Sequence, residues 1–216
     1  DNNMRIKPKD SLSSVLQFKI ILNDSTPRVW RRILVPADYI FFDLHCAIQN
    51  AMGWTDSHLH AFYIGEQRGK DRITIEFPNP ENDMYPPGET RDERKERIAD
   101  YFGKTIKQCV YCYDFGDNWD HTVLFERELP RDAKMAYPLC LAGKNACPPD
   151  DCGGVGGYEY LQEILKNPRH EEHVDMLEWL GLDDPKEFDP GEFNPQEIEF
   201  ENPKKRLKEW DKGFGL

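Results

Sequence analysis

The sequence predicts an α+β fold with a β-grasp (ubiquitin-like) core, in which a helix covers one face of a mixed sheet. Three observations carry this. The apolar run LQFKIIL from Leu16 is followed by the turn-dense NDSTP and by a second run, Arg28 to Val35, where Val29, Ile33 and Val35 recur at near period two. After Pro36 the period lengthens: Phe41, Leu44, Ile48 and Met52 fall three or four residues apart, the stripe of an amphipathic helix that stops at Gly53. Further on, KQCVYCYDF and TVLFER read as two antiparallel strands joined through GDNW. A hairpin with a helix laid across it buries an apolar face on each element, which is why the layered α+β class follows.

Taken in order, residues 1 to 13 are polar and read as a loose arm. On the second strand, alternation sends Trp30 and Arg32 to the face opposite Val29 and Ile33, where they form a candidate binding surface or a half-exposed face whose Arg stems cover the indole. His45 lies beside the helical stripe and reads as a packed or partly exposed residue. In WTDSHLHAFYIG, His58 and His60 are two apart, which on a strand puts both rings on one face; with no third ligand nearby in sequence, they read as hydrogen-bonded edge histidines.

ITIEF at 73–77 is a short strand, 78–88 a loop, and Glu89 to Asp100 a mixed-charge run whose alternating signs predict a solvated helix, anchored by Ile98, Tyr101 and Phe102. Cys109 and Cys112 are spaced like a redox or zinc pair, but on a strand that spacing points the thiols to opposite faces, so packed cysteines are expected. Beyond Tyr158, YLQEILKNP and HVDMLEWLG predict two short helices packed through Leu161, Ile164, Leu165, Met176, Leu177 and Leu180, with His170 and His173 solvated. Residues 14–180 are expected to form a single unit. The acidic extension 181–216 would pack on it through Phe188, Phe193 and Trp210, ending in a helix around PKKRLKEWDK.

Composition narrows the function classes. The 216 residues suffice to bury a core without disulfides or metal. There is no apolar run near the roughly 20 residues that span a bilayer and no signal-like apolar segment at the start, so a cytoplasmic address with no membrane contact is expected. In that compartment thiols stay reduced, and six Cys read as buried residues or metal ligands. A net charge of −12 argues against nucleic-acid binding, which needs clustered cations.

Chemistry concentrates in two stretches, DFGDNWDH at 114–121 and the Cys/Pro/Gly segment 140–157. Asp, Asn and Gly at a hairpin tip have a plain explanation as turn formers, with Gly116 expected to supply the positive φ. The same turn offers Asp114 and Asp117, and the later segment Asp150 and Asp151, as candidate catalytic carboxylates. Cys140, Cys147 and Cys152 lie in a bendable loop; with His121 as a fourth ligand they would satisfy tetrahedral zinc.

The segments PRVWRRILVPAD, FFDLHCAIQNAMGW, HLHAFYIG, YDFGDNWDHTV and CPPDDCGGVGGY, in this order, resemble the plasmid pRiA4b ORF-3-like family across residues 15 to 180 or so. The resemblance implies an α+β fold with a β-grasp-like core and no established activity; members also occur as passengers of mobile elements. Two residues depart from its pattern. Ile40 stands where a helix-capping Thr is usual, and Asp150 where a Glu is usual, one methylene shorter.

Three functions follow as expectations. The first is a binding or adaptor module with a structural zinc site, whose protein partner meets Trp119, Pro148 and Pro149. The second is a metal-dependent hydrolase of phosphoesters, in which the four Asp hold a hard cation and His121 acts as acid and base. The third, resting on the mobile-element association alone, is a DNA-processing accessory.

Overall fold

The computed structural model describes residues 14–66, 71–78 and 89–214. The polar arm 1–13 and most of the loop 78–88 lie outside the described residues. Eight strands form one sheet: β1 (Ser14–Leu22), β2 (Trp30–Pro36), β3 (His60–Ile64), β4 (Ile73–Glu76), β5 (Glu89–Asp92), β6 (Gln108–Tyr113), β7 (Trp119–Pro130) and β8 (Leu139–Lys144), in the order β5-β4-β3-β6-β7-β1-β2-β8. The described helices are α1 (Phe41–Met52), α2 (Gly154–Lys166), α3 (His173–Leu180) and α4 (Pro203–Phe214).

The mixed α+β class holds, and the β1–β2 hairpin followed by α1 is present. The β-grasp refinement goes beyond what this sheet carries. Both neighbours of β1 are antiparallel to it, and the parallel pair, β4 with β5, lies at one edge.

Register explains the core. Leu22 pairs with His121, His121 with Tyr111, and Tyr111 with Phe62, so one inward row crosses four strands. On β2 the inward residues Ile33 and Val35 are joined by Arg31, which is almost wholly buried. Its guanidinium donates to the carbonyls of Ala51 (2.7 Å), Met52 (3.4 Å), Trp30 (2.9 Å) and Lys144 (3.1 Å), so it closes the carbonyl end of α1. Phe193 stacks on the guanidinium at 3.7 Å. Burial lowers the Arg31 pKa to about 10, which leaves it charged at neutral pH.

Two expectations about α1 change. Its outer face is also covered: Phe42 and Cys46 pack with Phe77 under Leu207 and Trp210 of α4, so the helix is buried nearly all round. Its start is capped by main chain from the segment after β5. Phe41 N–H donates to the Glu96 carbonyl (3.0 Å) and Phe42 N–H to that of Glu93 (3.3 Å), while Asp43 accepts from Ile40 N–H (3.1 Å). The mixed-charge run 89–100 is therefore no solvated helix but β5, a capping segment and a short 3-10 turn at Ile98–Asp100.

Cys109 and Cys112 are both buried on β6, as expected of packed cysteines. His173 is buried, its ring at 2.9 Å from the Ile164 carbonyl, and is not the solvated residue expected. The C-terminal residues reach back onto the helices: the Phe188 ring lies 6.4 Å from Tyr158 of α2, and Trp210 lies 6.0 Å from Phe42 of α1. No described helix is long and apolar enough to cross a membrane.

Candidate functional site

Three connections converge at one end of the sheet. The first leaves α1 at Gly53 (φ 107°), whose positive φ reverses the chain and sends Trp54 into the core and Asp56, Ser57 and His58 along its edge. The second is the β6–β7 turn, where Asp114 Oδ1 accepts from Gly116 N–H (2.8 Å) and positive φ is taken by Asp114 and Asn118, not by Gly116 as expected.

The third, residues 145–153, docks on that turn. Gly153 N–H donates to Asp117 Oδ2 (3.0 Å), and Gly154, at φ +69°, comes so near that a Cβ there would sit 2.5 Å from the Asp117 carbonyl oxygen. Thr55 then ties the first connection to the third, its N–H and Oγ1 both reaching Asp150 Oδ2 (3.1 and 2.7 Å). Asp56, Asp114 and Asp151 all hold left-handed backbone, with φ of 55°, 58° and 61°, a costly conformation for a residue with a Cβ.

The result is an open cluster. His58 Nε2 lies 3.0 Å from Asp151 Oδ1 and 3.6 Å from Asp114 Oδ2, yet it is shielded from solvent and makes no hydrogen bond. One donor atom from each of the three residues falls within 4.8 Å of the others. Asp114 is 8% exposed and Asp151 stands at the surface, so the group is held on one side and open on the other. A cleft of about 330 Å³ adjoins it, bounded by Asp56, His58, Arg206 and Trp210.

Behind the cleft is a second, buried cluster. The His45 and His60 rings stack with centroids 3.4 Å apart and planes within 4°. His45 Nδ1 meets Tyr111 Oη at 2.8 Å, where Gln49 also donates (2.8 Å), and its Nε2 lies 3.0 Å from Asp56 Oδ1. His60 Nε2 bonds to Glu93 at 2.8 Å. Arg206 and the Trp210 indole N–H, both from α4, approach Asp56 Oδ2 at 3.3 Å. Burial, aided by the neighbouring His60, holds the His45 pKa below its ordinary value against the pull of Asp56. Burial would raise Asp56, but His45, His60 and Arg206 outweigh it and keep its pKa below the usual carboxylate value.

The residues singled out from the sequence are thus sorted differently. Of the four carboxylates, Asp114 and Asp151 meet, while Asp117 and Asp150 hold the docked loop. The proposed zinc ligands His121, Cys140, Cys147 and Cys152 do not form a group of the kind above among the described residues. His121 sits in the inward row of β7, fully buried, with Nε2 accepting from Trp54 Nε1–H (3.2 Å) and Nδ1 at 3.1 Å from the Tyr111 carbonyl. Burial drops its pKa to about 4. Cys140 is buried in β8, and Cys147 and Cys152 are half-buried in the docked loop; burial raises all three thiols, Cys152 to about 12.

Trp119 is 0% exposed and Pro148 is buried, leaving Pro149 half-exposed, so the expected partner surface is largely interior. Strand alternation is the cause, since Trp119, His121 and Val123 share the inward face of β7. Trp30 and Arg32 do share the outer face of β2, where Arg32 is engaged by Glu126 through two contacts of 2.8 Å. His58 and His60 do not act together: His58 precedes β3 and turns to the Asp pair, while His60 points inward. Asp56 and Glu93 are not singled out by the sequence, and Arg206 is read there only as part of the terminal helix. The DSH spacing of Asp56 to His58 was a local signal; Glu93 and Arg206 come from distant segments and left none.

The profile described as plasmid pRiA4b ORF-3-like protein matches residues 14–197. The uncharacterized protein y4hQ of Sinorhizobium fredii (strain NBRC 101917 / NGR234) is 36% identical over 173 residues, covering 80% of this chain and 84% of that protein. A crystal structure of the protein of unknown function MM3350 from Methanosarcina mazei Go1 is 40% identical, with a TM-score of 0.75 over 88% of this chain and 99% of that one. The chain therefore belongs to the plasmid pRiA4b ORF-3-like family.

Proposed function

We propose that the protein is a divalent-cation-dependent hydrolase of phosphoesters, with His58, Asp114 and Asp151 as cation ligands. The observation that carries this is His58 Nε2: shielded, without a hydrogen bond, and 3.0 and 3.6 Å from two carboxylate oxygens. Ligand bonds of about 2.1 Å at angles of about 90–109° hold neighbouring donor atoms about 3.0–3.4 Å apart, a range that takes in the 3.0 Å from His58 to Asp151, while the 3.6 Å to Asp114 is slightly longer. Two carboxylates and one imidazole leave positions for water and substrate and suit zinc or manganese. A cation there would lower the pKa of a bound water and neutralise phosphoryl oxygens. Arg206 borders the adjoining cleft, where its guanidinium is paired with Asp56 and Glu201.

Zinc is thus kept as a cofactor, held by other residues than the cysteines. The adaptor reading has less support, because Trp119 is wholly buried and both nitrogens of His121 face partners in the core. A DNA-processing role is opposed by the net charge of −12.

The test is calorimetric titration of the chelated protein with Zn²⁺ and Mn²⁺, together with hydrolysis of bis(p-nitrophenyl) phosphate. Metal-stimulated turnover in the wild type, lost in Asp114→Asn and Asp151→Asn, is expected. Turnover equal in the wild type and both variants would refute the assignment.

A further inference from the structure

Asp56 joins the buried cluster to the open one, because His58 follows it by two residues. It holds left-handed backbone (φ 55°), which a residue with a Cβ keeps only when its surroundings over-determine it. Contacts from two helices do so. Its N–H donates to Gln49 Oε1 (2.9 Å) and its Oδ1 pairs with His45 Nε2 (3.0 Å), both on α1. Its Oδ2 pairs with Arg206 (3.3 Å) and accepts from the Trp210 indole N–H (3.3 Å), both on α4. Beyond it, Ser57 N–H donates to Tyr113 Oη (3.1 Å), and the His58 ring stands edge-on to Tyr113 at 5.8 Å. Little free chain therefore separates the α4 contact from the imidazole of the open site.

Arg206 is itself aimed. Glu201 Oε2 accepts from two of its nitrogens (3.1 and 2.5 Å), and Glu201 N–H donates to Asn50 Oδ1 of α1 (3.0 Å). The helix that carries it is lightly attached. Every described side chain of α4 is half-buried or exposed, and none belongs to the main core. Leu207 and Trp210 pack on Phe42, Cys46 and Phe77, and Asp211 meets Arg94 at 3.4 Å. A small apolar contact and partly exposed ion pairs put such an element at the low-stability end of a fold, from which moving parts are drawn. Arg206, Glu209 and Trp210 of α4 also line the cleft, together with the segment Asp56 to Leu59.

Resting on the cation reading above, we propose that α4 gates the open site, with Arg206 and Asp56 as positioning residues for His58. Docked, the helix fixes the Asp56–His58 segment and bounds the cleft; released, it opens the cleft and slackens the imidazole. Ion binding and α4 docking then favour each other. Thermodynamic linkage makes this coupling reciprocal, so whatever docking adds to ion affinity, the ion adds to docking. Charge alone has the opposite sign. Removing the Arg206 cation from an acidic neighbourhood would tighten binding of another cation, so a loss of affinity reports positioning.

The experiment is calorimetric Zn²⁺ titration of the full chain and of Arg206→Ala and Arg206→Lys, with amide hydrogen exchange of residues 203–212 followed with and without Zn²⁺. Arg206→Ala should weaken Zn²⁺ binding about tenfold, with Arg206→Lys between it and the wild type, while circular dichroism shows both variants folded. Zn²⁺ should slow exchange across α4 in the wild type, and should not in the variant carrying Asp114→Asn and Asp151→Asn, which lacks the open site. If Arg206→Ala does not fold, Arg206→Lys and the exchange measurement still decide. Zn²⁺ bound by the wild type, with affinity unaltered or raised in the Arg206 variants, overturns the proposal and leaves the open-site ligands standing. So does α4 exchange that the bound ion does not change. A wild type that binds no Zn²⁺ removes the cation reading itself, and this inference with it.

Discussion

Trp54 Nε1–H donates to His121 Nε2 at 3.2 Å, across the junction between the end of α1 and the inward row of the sheet. With Nδ1 facing the Tyr111 carbonyl, the ring is held as the neutral Nδ1–H tautomer, and protonation of Nε2 would set two donors against each other.

Acid should therefore weaken the fold through His121. Its pKa is about 4 when folded and about 6.5 when unfolded, so the unfolded chain binds the proton first as pH falls. Its contribution is fully present above about pH 6.5, is lost progressively down to about pH 4, and amounts to about 3 kcal/mol. Asp43 acts in the opposite sense, because burial raises its pKa to about 6. The measurement is thus the difference in urea stability between wild type and His121→Gln, which cancels other groups; it should shrink from pH 7 to pH 4. A constant difference would refute the tautomer assignment.

Replacing Arg31 by Met should cost about 3 kcal/mol or more, because the buried carbonyls of Ala51, Met52, Trp30 and Lys144 would lose their donor. Arg31→Lys should rescue little, since one ammonium cannot reproduce the planar fork. Chemical denaturation of both variants reads this directly.

Leu44→Ala and Ile48→Ala each remove a fully buried side chain from the sheet-facing side of α1. Destabilisation of about 2–5 kcal/mol is expected in denaturant melts. A change near zero would show that this face is not packed.

Gly154→Ala should unseat the docked loop, since its φ of +69° is strained for Ala and the new methyl would meet the Asp117 carbonyl at 2.5 Å. Asp151 moves with that loop. Zn²⁺ or Mn²⁺ affinity at the open site should fall about tenfold or more, an effect expected when supporting residues are disturbed. Calorimetry on the folded variant gives the answer, and unchanged affinity would uncouple the loop from the site.

Much of the fold was legible because local period and burial agree. The alternation of Val29, Ile33 and Val35, the helical stripe of Phe41, Leu44, Ile48 and Met52, and the two strands around DFGDNW all fold as read. The two stretches rich in Asp, Gly and Cys meet through Asp117, Gly153 and Gly154, a contact that the zinc expectation did not name. The misread segments were those whose neighbours are distant in sequence. The run 89–100 carries charges that suit a solvated helix, but it pairs with β4 and caps α1 instead.

What the sequence determined was the α+β class, the strand faces and the set of chemically capable residues. What only the tertiary structure decided was their grouping: His58 with Asp114 and Asp151, His45 with His60 and Asp56, and His121 with Trp54. The physical reason is that strand alternation fixes which face a side chain takes, whereas sheet order and the docking of α4 fix what it meets there. In this chain those are contacts between residues as far apart as Asp56 and Arg206, which no local pattern encodes.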